Sequence, residues 1–233
     1  MIFPAFLKTL GQIGDPRFRR VLLLGIGLTL ALLVAVYAGV LWLIHATVGD
    51  TTVLPFIGEV TWVGDLLSGA SLLLMMILSA FLMVPVASAI TSMFLDEVAQ
   101  AVEDRHYPSL PPASPVPLGE AIKDTVNFLG VIIGANLLAL ILYVIFTPFA
   151  LFIFWGLNGY LLGMEYFQLA AMRREGREEA KQLRKRHRLT IWAAGVLMAM
   201  PLSVPLVNLL VPVLGAATFT HIYHTIRRRA PSG

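Results

Sequence analysis

Four stretches of the chain contain no Asp, Glu, Lys or Arg, and each is longer than one bilayer crossing requires. They cover residues 21–49, 66–95, 125–164 and 189–226, which are 29, 30, 40 and 38 residues long. A helix crosses the hydrocarbon core with about 20 predominantly apolar residues. Charged residues make up 13% of the 233 residues, against about 25% in ordinary soluble domains. The chain is therefore predicted to be an all-α integral membrane protein.

The basic residues follow the positive-inside rule, under which the cytoplasmic loops of a membrane protein carry most of the Lys and Arg. All 17 lie outside the four charge-free stretches, whereas segment 50–65 has three acidic residues and no basic one. This asymmetry predicts a multi-pass protein with both termini in the cytoplasm. Membrane lipid is an expected partner. Nucleic acid is not, because the basic run 173–188 has no aromatic side chain with which to stack bases.

Proline and charge positions divide the predicted single membrane domain, 1–233, into eight segments. A signal-peptide core is about 7–15 residues long, so the 29-residue run after Arg20 is expected to remain as a helix. In chain order the segments are an interfacial helix (1–14), helix A (15–48), helix B (62–105), a Pro-rich link (106–118), hairpin one (119–167), a basic surface helix (168–188), hairpin two (189–226) and a tail (227–233).

The two C-terminal hydrophobic stretches predict hairpins with proline at their tips. Stretch 125–164 would be about 60 Å long as one helix, and Thr147–Pro148 divides it. In stretch 189–226, the arm before Pro201 has only 12 residues, or about 18 Å, which is short of a full crossing. The expected fold is two long transmembrane helices, two partly inserted hairpins and short interfacial helices. Six complete spans are the alternative.

Composition and motifs argue against enzymatic chemistry. The chain has no cysteine, which excludes disulfides and thiolate metal sites. It has no HExxH, GxSxG or P-loop motif. His221 and His224 are interpreted as a pair at the membrane interface rather than as metal ligands, because no carboxylate or Cys is near them in sequence. We therefore expect no cofactor, no metal and no catalytic residue.

The stretch "GDPRFRR" (14–20) places three arginines at the start of helix A. Asp15 is a typical helix cap, and proline is favoured at the first helical position. A helix N-terminus has free N–H groups and a positive dipole end, which together favour an anion. The same arginines also serve as a topology anchor, so both interpretations stay open on the residues alone.

The chain resembles the CysZ-type sulfate permeases and the related etoposide-induced 2.4 membrane proteins over most of its length. The resemblance rests on "DPRFRRVLLLGIG", "FLDEVAQAVEDRHYP", "GLNGYLLGMEYF" and "VPLVNLLVPVLGAATFTHIYH". It implies ATP-independent sulfate entry for cysteine synthesis, by an oligomeric protein of the bacterial inner membrane. In this family a Gly-hydrophobic-Arg motif at the first long helix is associated with sulfate. The resemblance therefore implies that Arg19 and Arg20 bind sulfate. Arg17 stands at the position where glycine is usual.

Further polar residues are candidates for the transport pathway. Glu97, Glu103 and Arg105 lie near the inner end of helix B, where a charge network with Arg17–Arg20 would form a gate; a solvated helix end is the alternative. Glu165 closes the third stretch, either as a proton-coupling group or as the partner of a nearby arginine. Asn158 and Asn208 offer amide groups either to the anion or to a neighbouring helix.

Two functions from different classes remain on the sequence alone. The first is a sulfate permease that uses the basic start of helix A. The second is a membrane scaffold that does not transport and binds partners through the charged segments 96–105 and 173–188.

Overall fold

The computed structural model describes residues 1–48, 52–54, 58–60, 69–70, 73, 94–113 and 118–229. Within these ranges nine α-helices have both ends described, residues 69, 70 and 73 are also helical, and two short strands form a pair. The helices are α1 (Ile2–Gly11), α2 (Pro16–Val48), α3 (Leu95–His106), α4 (Leu118–Ile145), α5 (Ala150–Glu175), α6 (Arg177–Arg186), α7 (Arg188–Ala199), α8 (Pro205–Asn208) and α9 (Val211–Arg229). Strands β1 (Thr52–Leu54) and β2 (Gly58–Val60) pair antiparallel, with Val53 opposite Glu59.

Three of the described helical segments are long and apolar enough to cross a membrane. They are Pro16–Gly39, Asn127–Ile145 and Thr147–Glu175. The predicted all-α membrane class is confirmed. The part of predicted helix B before Phe94 lies almost wholly outside the described residues.

The chain forms two compact units. The first comprises Met1–Leu22 and Ser92–Gly233, and the second comprises Leu23–Thr91. The second unit contains most of α2 and the strand pair. The core and all the polar clusters described below belong to the first unit.

Helix α9 forms the centre of the first unit. Its residues are buried on every side, including Ala216, Phe219 and Ile222, which are completely covered. The ring of Phe219 lies 6.1 Å from that of Tyr166 on α5. On another side, the Thr218 hydroxyl donates a hydrogen bond to the Thr9 hydroxyl of α1 at 3.1 Å. Enclosure by protein is what allows a helix with several polar side chains to lie in the core.

Helix α1 places its small residues against the core and its large apolar residues outside. Ala5 and Thr9 are buried, whereas Phe3 and Leu7 are 66% and 54% exposed. A short helix with this outward apolar face is suited to the interface of a bilayer.

Helices α5 and α7 approach closely at glycine residues. A Cβ atom placed on Gly159 would lie 2.6 Å from Val196, and one on Gly163 would lie 2.7 Å from the carbonyl oxygen of Ile191. On the α7 side, a Cβ on Gly195 would clash with the carbonyl oxygen of Gly159. Small residues let backbones approach in this way, which is a common basis of helix association in membranes.

The segment predicted as hairpin one consists of α4, a 3₁₀ turn at Thr147–Phe149 and α5. The turn contains Pro148, and the Thr147 hydroxyl donates to the carbonyl of Tyr143 at 2.8 Å, which satisfies an end of α4. Both arms are long enough to cross a bilayer. In hairpin two, by contrast, α7 has only 12 residues before the turn at Met200–Ser203.

The predicted boundary between hairpin one and the basic surface helix, at 167/168, is wrong. Helix α5 continues to Glu175 and ends at Gly176, whose φ of 77° is in the left-handed region. Glycine adopts this conformation without steric cost, so the chain turns there and α6 begins at Arg177. The tail boundary also differs, because α9 continues through Arg229.

Candidate functional site

The start of α2 is capped by a carboxylate of the protein itself. Asp15 Oδ1 accepts a hydrogen bond from the Arg17 backbone N–H at 2.9 Å, and its Oδ2 accepts one from Gln12 Nε2 at 3.0 Å. Side-chain capping of this kind satisfies a helix N–H that would otherwise be free. The Arg17 guanidinium forms an ion pair with Asp104 of α3 at 2.6 Å. Arg17 therefore has a carboxylate partner before any anion arrives.

Arg19 and Arg20 differ from Arg17 in having no ion pair within the described part of the chain. Both side chains are exposed. Arg20 lines a hollow of about 410 Å³ together with Arg17, Asp96 and Glu97. Two guanidinium groups and two carboxylates thus border one space, so an entering oxyanion meets attraction and repulsion together.

Glu103 lies at the centre of a buried charge cluster, which we define as Glu103, Arg173, Arg174 and His224. Its side chain is 3% exposed. Arg174 donates two hydrogen bonds to this carboxylate, from Nε to Oε1 at 3.0 Å and from Nη2 to Oε2 at 2.6 Å. His224 Nε2 lies 2.9 Å from Oε1, and Arg173 Nη2 lies 3.6 Å from Oε2. This bidentate pairing is the strongest geometry available between arginine and a carboxylate.

The surroundings of Glu103 keep it ionised. Burial on its own raises the pKa of this carboxyl, but the hydrogen bonds from His224 and Arg174 and the charge of Arg173 outweigh burial and lower the pKa to about 2. The hydrogen bond from Arg17 likewise lowers the pKa of Asp104 below its ordinary value. Glu103 and Asp104 are therefore anionic at neutral pH.

The remaining donors of the two arginines fix the position of the cluster. Arg173 Nη1 donates to the carbonyl of Asp96 at 2.6 Å, and its Nη2 donates to Gln100 Oε1 at 2.7 Å. Arg174 Nη1 donates to the carbonyl of Pro111 at 2.5 Å. The cluster thus ties the end of α5 to α3 and to the segment after it.

The two histidines of α9 lie inside the protein, so the expectation of an interfacial pair is wrong. His221 is 1% exposed and His224 is 7% exposed. His221 Nδ1 lies 3.0 Å from the Tyr107 hydroxyl, and the His224 ring lies 4.2 Å from that of Tyr107. Interfacial exposure was expected because the residues near them in sequence offer no partner. Their actual partners, Tyr107 and Glu103, come from α3 and the residue after it.

Several sequence-predicted residues lie apart from these clusters. Arg105 is exposed on α3. Glu165 has no hydrogen bond or ion pair within the described ranges, and the nearby Arg173 and Arg174 are engaged with α3 instead. Asn158 Nδ2 donates to the carbonyl of Phe154 in its own helix at 2.9 Å. The Asn208 side chain, at the end of α8, is half-buried.

Sequence reasoning missed Arg173, Arg174 and His224 as partners of Glu103. A signal for them exists. A pair of arginines ends the apolar helix α5, and a His pair at i, i+3 lies in a helix whose other residues are mostly small or apolar. A buried arginine requires a carboxylate partner, and Glu103 lies on the buried face of α3 between Val102 and Asp104.

The chain matches the family model described as sulfate transporter CysZ/etoposide-induced protein 2.4, over residues 5–212. The match covers α1 through α8 and the first residues of α9. The chain matches no curated protein.

Proposed function

Because the chain belongs to the sulfate transporter CysZ/etoposide-induced protein 2.4 family, we propose that it is a sulfate permease of the bacterial inner membrane. It admits sulfate, or a similar oxyanion, without ATP and supplies it for cysteine synthesis. The observation that carries the proposal is the extent of the family match, residues 5–212. The proposed orientation has both termini in the cytoplasm, and the proposed active form is a homo-oligomer surrounded by lipid.

Arg19 and Arg20 are the proposed sulfate-binding residues, because they are exposed and no ion pair engages them within the described residues. Arg17 is assigned a positioning role rather than direct contact with sulfate, since Asp104 holds its guanidinium at 2.6 Å. Glu97 borders the same hollow as Arg20. We assign Glu97 the role of a gate, because its negative charge repels an anion in that hollow.

The other predicted pathway residues enter the proposal with separate roles. Glu103 keeps the end of α5 fixed beside α3 through its bonds to Arg174. Arg105 adds positive charge to the same region of α3. Glu165, Asn158 and Asn208 are proposed as polar positions along the path of the anion. These groups need not lie close together, because a permeating ion contacts them in succession.

A growth experiment tests the proposed function. In a bacterial strain that lacks sulfate uptake, expression of the chain should restore growth on limiting sulfate. The Arg19→Gln/Arg20→Gln variant should restore it poorly. The Arg229→Gln variant removes a charge from the end of α9 and serves as the control, which should behave as the unaltered chain does.

Added cysteine separates the two classes of function. It should remove the growth defect in every strain, whether or not the chain is present. If the correctly inserted chain never improves growth on limiting sulfate, the permease proposal fails and the scaffold function is the remaining candidate.

A further inference from the structure

A second hollow, distinct from the one at Arg20, lies beside the Glu103 cluster. The segment after α3, the last residues of α5 and the last turns of α9 form its walls. Its volume is about 590 Å³, which falls in the range of about 300–1,000 Å³ typical of small-molecule sites. We call it the arginine pocket, after Arg173, Arg174, Arg227 and Arg228, all of which line it.

The charge of the arginine pocket favours an anion. Its lining carries four arginines against one carboxylate, Glu175, which gives a formal charge of 4 − 1 = +3. Glu103, which lies directly behind Arg174 at 2.6 Å, reduces the local sum to +2. A singly charged group, such as a sulfate ester or a phosphodiester, would leave part of this charge uncompensated, whereas a doubly charged phosphate monoester would balance it.

Part of the arginine pocket's hydrogen-bonding capacity is unused. Arg227 Nε binds Glu175 at 2.6 Å, and its two amino groups have no hydrogen bond to any described residue. The Arg228 guanidinium lies 5.0 Å from the Tyr107 ring centroid and forms no ion pair with any described residue. Arg174 is fixed by Glu103 and the Pro111 carbonyl. Arg173 and Arg174 are thus held by α3 and the segment after it, whereas Arg227 and Arg228 have N–H donors with no acceptor among the described residues.

One wall of the arginine pocket is unsuited to a bare inorganic ion. Leu110, Pro111, Pro112 and Ala113 form it. These side chains are apolar and offer no hydrogen bond to an oxyanion, but they can pack against the carbon skeleton of a larger ligand. The volume leads to the same conclusion, because a single tetrahedral oxyanion would fill only part of the space.

We propose that the arginine pocket binds an organic phosphate monoester. Its charged group lies between Arg174, Arg227 and Arg228, and its organic part lies along Leu110–Ala113. The head group of phosphatidic acid carries the same phosphate monoester chemistry as a soluble metabolite. Because the candidate span Thr147–Glu175 ends at this pocket, the experiment must distinguish these two sources.

Calorimetric titration of the purified full-length chain tests the proposal, with adenosine 5′-monophosphate as the organic phosphate and inorganic sulfate for comparison. The nucleotide should bind more tightly than sulfate. Arg228→Gln should weaken nucleotide binding by about tenfold or more, because it removes a charged hydrogen bond. Arg229→Gln is the matched control. It removes the same charge from the next residue along the chain, which lies outside the pocket. It should change the affinity by less than about twofold.

Nanodiscs identify the source of the phosphate group. If nucleotide binding persists in phosphatidylcholine discs and disappears when phosphatidic acid is added, the pocket belongs to a lipid head group. If it persists in both, the ligand is a soluble ester. The proposal is overturned if neither the nucleotide nor the anionic lipid binds in a manner sensitive to Arg228→Gln. It is also overturned if Arg229→Gln weakens binding equally.

This inference is independent of the permease proposal. The Arg19→Gln/Arg20→Gln variant should bind the nucleotide with unaltered affinity. A chain that fails to support growth on limiting sulfate can still show Arg228-dependent binding, so failure of one proposal is distinguishable from failure of the other.

Discussion

Helices α4 and α9 combine apolar character and burial in opposite ways. In the span Asn127–Ile145 of α4, only 6% of the most apolar window is buried, and Val144 is 82% exposed. In α9, 15 of 19 residues are buried. The buried polar residues of α9 are Thr218, Thr220, His221 and His224. The helix richer in apolar residues is thus the one outside the core.

The difference follows from what surrounds each helix. Lipid tails are as apolar as leucine, so a membrane protein gains nothing by hiding leucine from them. Polar groups, in contrast, must find partners inside the protein when no water is present. Helix α9 supplies such partners to Glu103 and Tyr107. The apolar surface of α4 is therefore suited to contact with lipid, whereas the buried polar residues of α9 bind the charged and polar groups of the core.

Removal of Glu103 should have the largest effect on the α9 side of this comparison. Glu103→Ala leaves Arg173, Arg174 and His224 without their shared carboxylate. Loss of one partner from a buried ion pair costs about 3–5 kcal/mol. Unfolding of the detergent-purified protein would measure this loss.

The neighbouring residue provides the control for Glu103→Ala. Asp104 pairs with Arg17, but both side chains are about half exposed, so Asp104→Ala should cost less than about 1 kcal/mol. Equal effects of the two variants would show that the buried cluster does not stabilise the fold.

A charge on α4 should have the next largest effect, and only in a membrane. Leu140 is 62% exposed, so in water Leu140→Lys would change stability little. At the centre of a membrane span, lysine costs about 3 kcal/mol on insertion scales. The fraction of α4 that inserts, measured by glycosylation mapping in microsomes, should fall sharply. Leu110→Lys, in the link after α3, is the control and should insert as the unaltered chain does.

Matched glycine substitutions should give the smallest difference. A Cβ on Gly215 of α9 would clash with the Tyr166 ring, whereas a Cβ on Gly134 of α4 would have no neighbour within 4 Å. Gly215→Ala should therefore destabilise the protein by about 1–3 kcal/mol through overpacking. Gly134→Ala should be neutral or stabilise it by up to about 1 kcal/mol through helix propensity. Thermal unfolding midpoints would compare them, and the reverse order would contradict the packing described for α9.

The sequence was sufficient to predict the membrane class, because charge-free length is a property of each segment by itself. The cap at Asp15 was equally local, and the structure shows the expected bond to the Arg17 N–H at 2.9 Å. The end of α5 was missed although its cause is local, because the apolar pattern weakens before Gly176 actually breaks the helix.

The clusters could not be predicted, because their members are far apart in sequence. His224 lies 121 residues from Glu103, and His221 lies 114 residues from Tyr107. Helix α9 is buried on all sides, so its sequence has no apolar stripe that would indicate which neighbour each polar group faces. Apolar residues also suit both the core of a protein and a surface that faces lipid. Only the packing of α9 against α1, α3 and α5 distinguishes them.

Sulfate flux into liposomes is the most direct test of the central claim that this chain is an oxyanion permease. Purified protein would be reconstituted without nucleotide, and uptake of radiolabelled sulfate would be followed down its gradient. The account predicts uptake well above that of empty vesicles, reduced about tenfold or more by Arg19→Gln/Arg20→Gln and unchanged by Gly134→Ala. Uptake no faster than in empty vesicles, from protein shown to be folded and inserted, would contradict it.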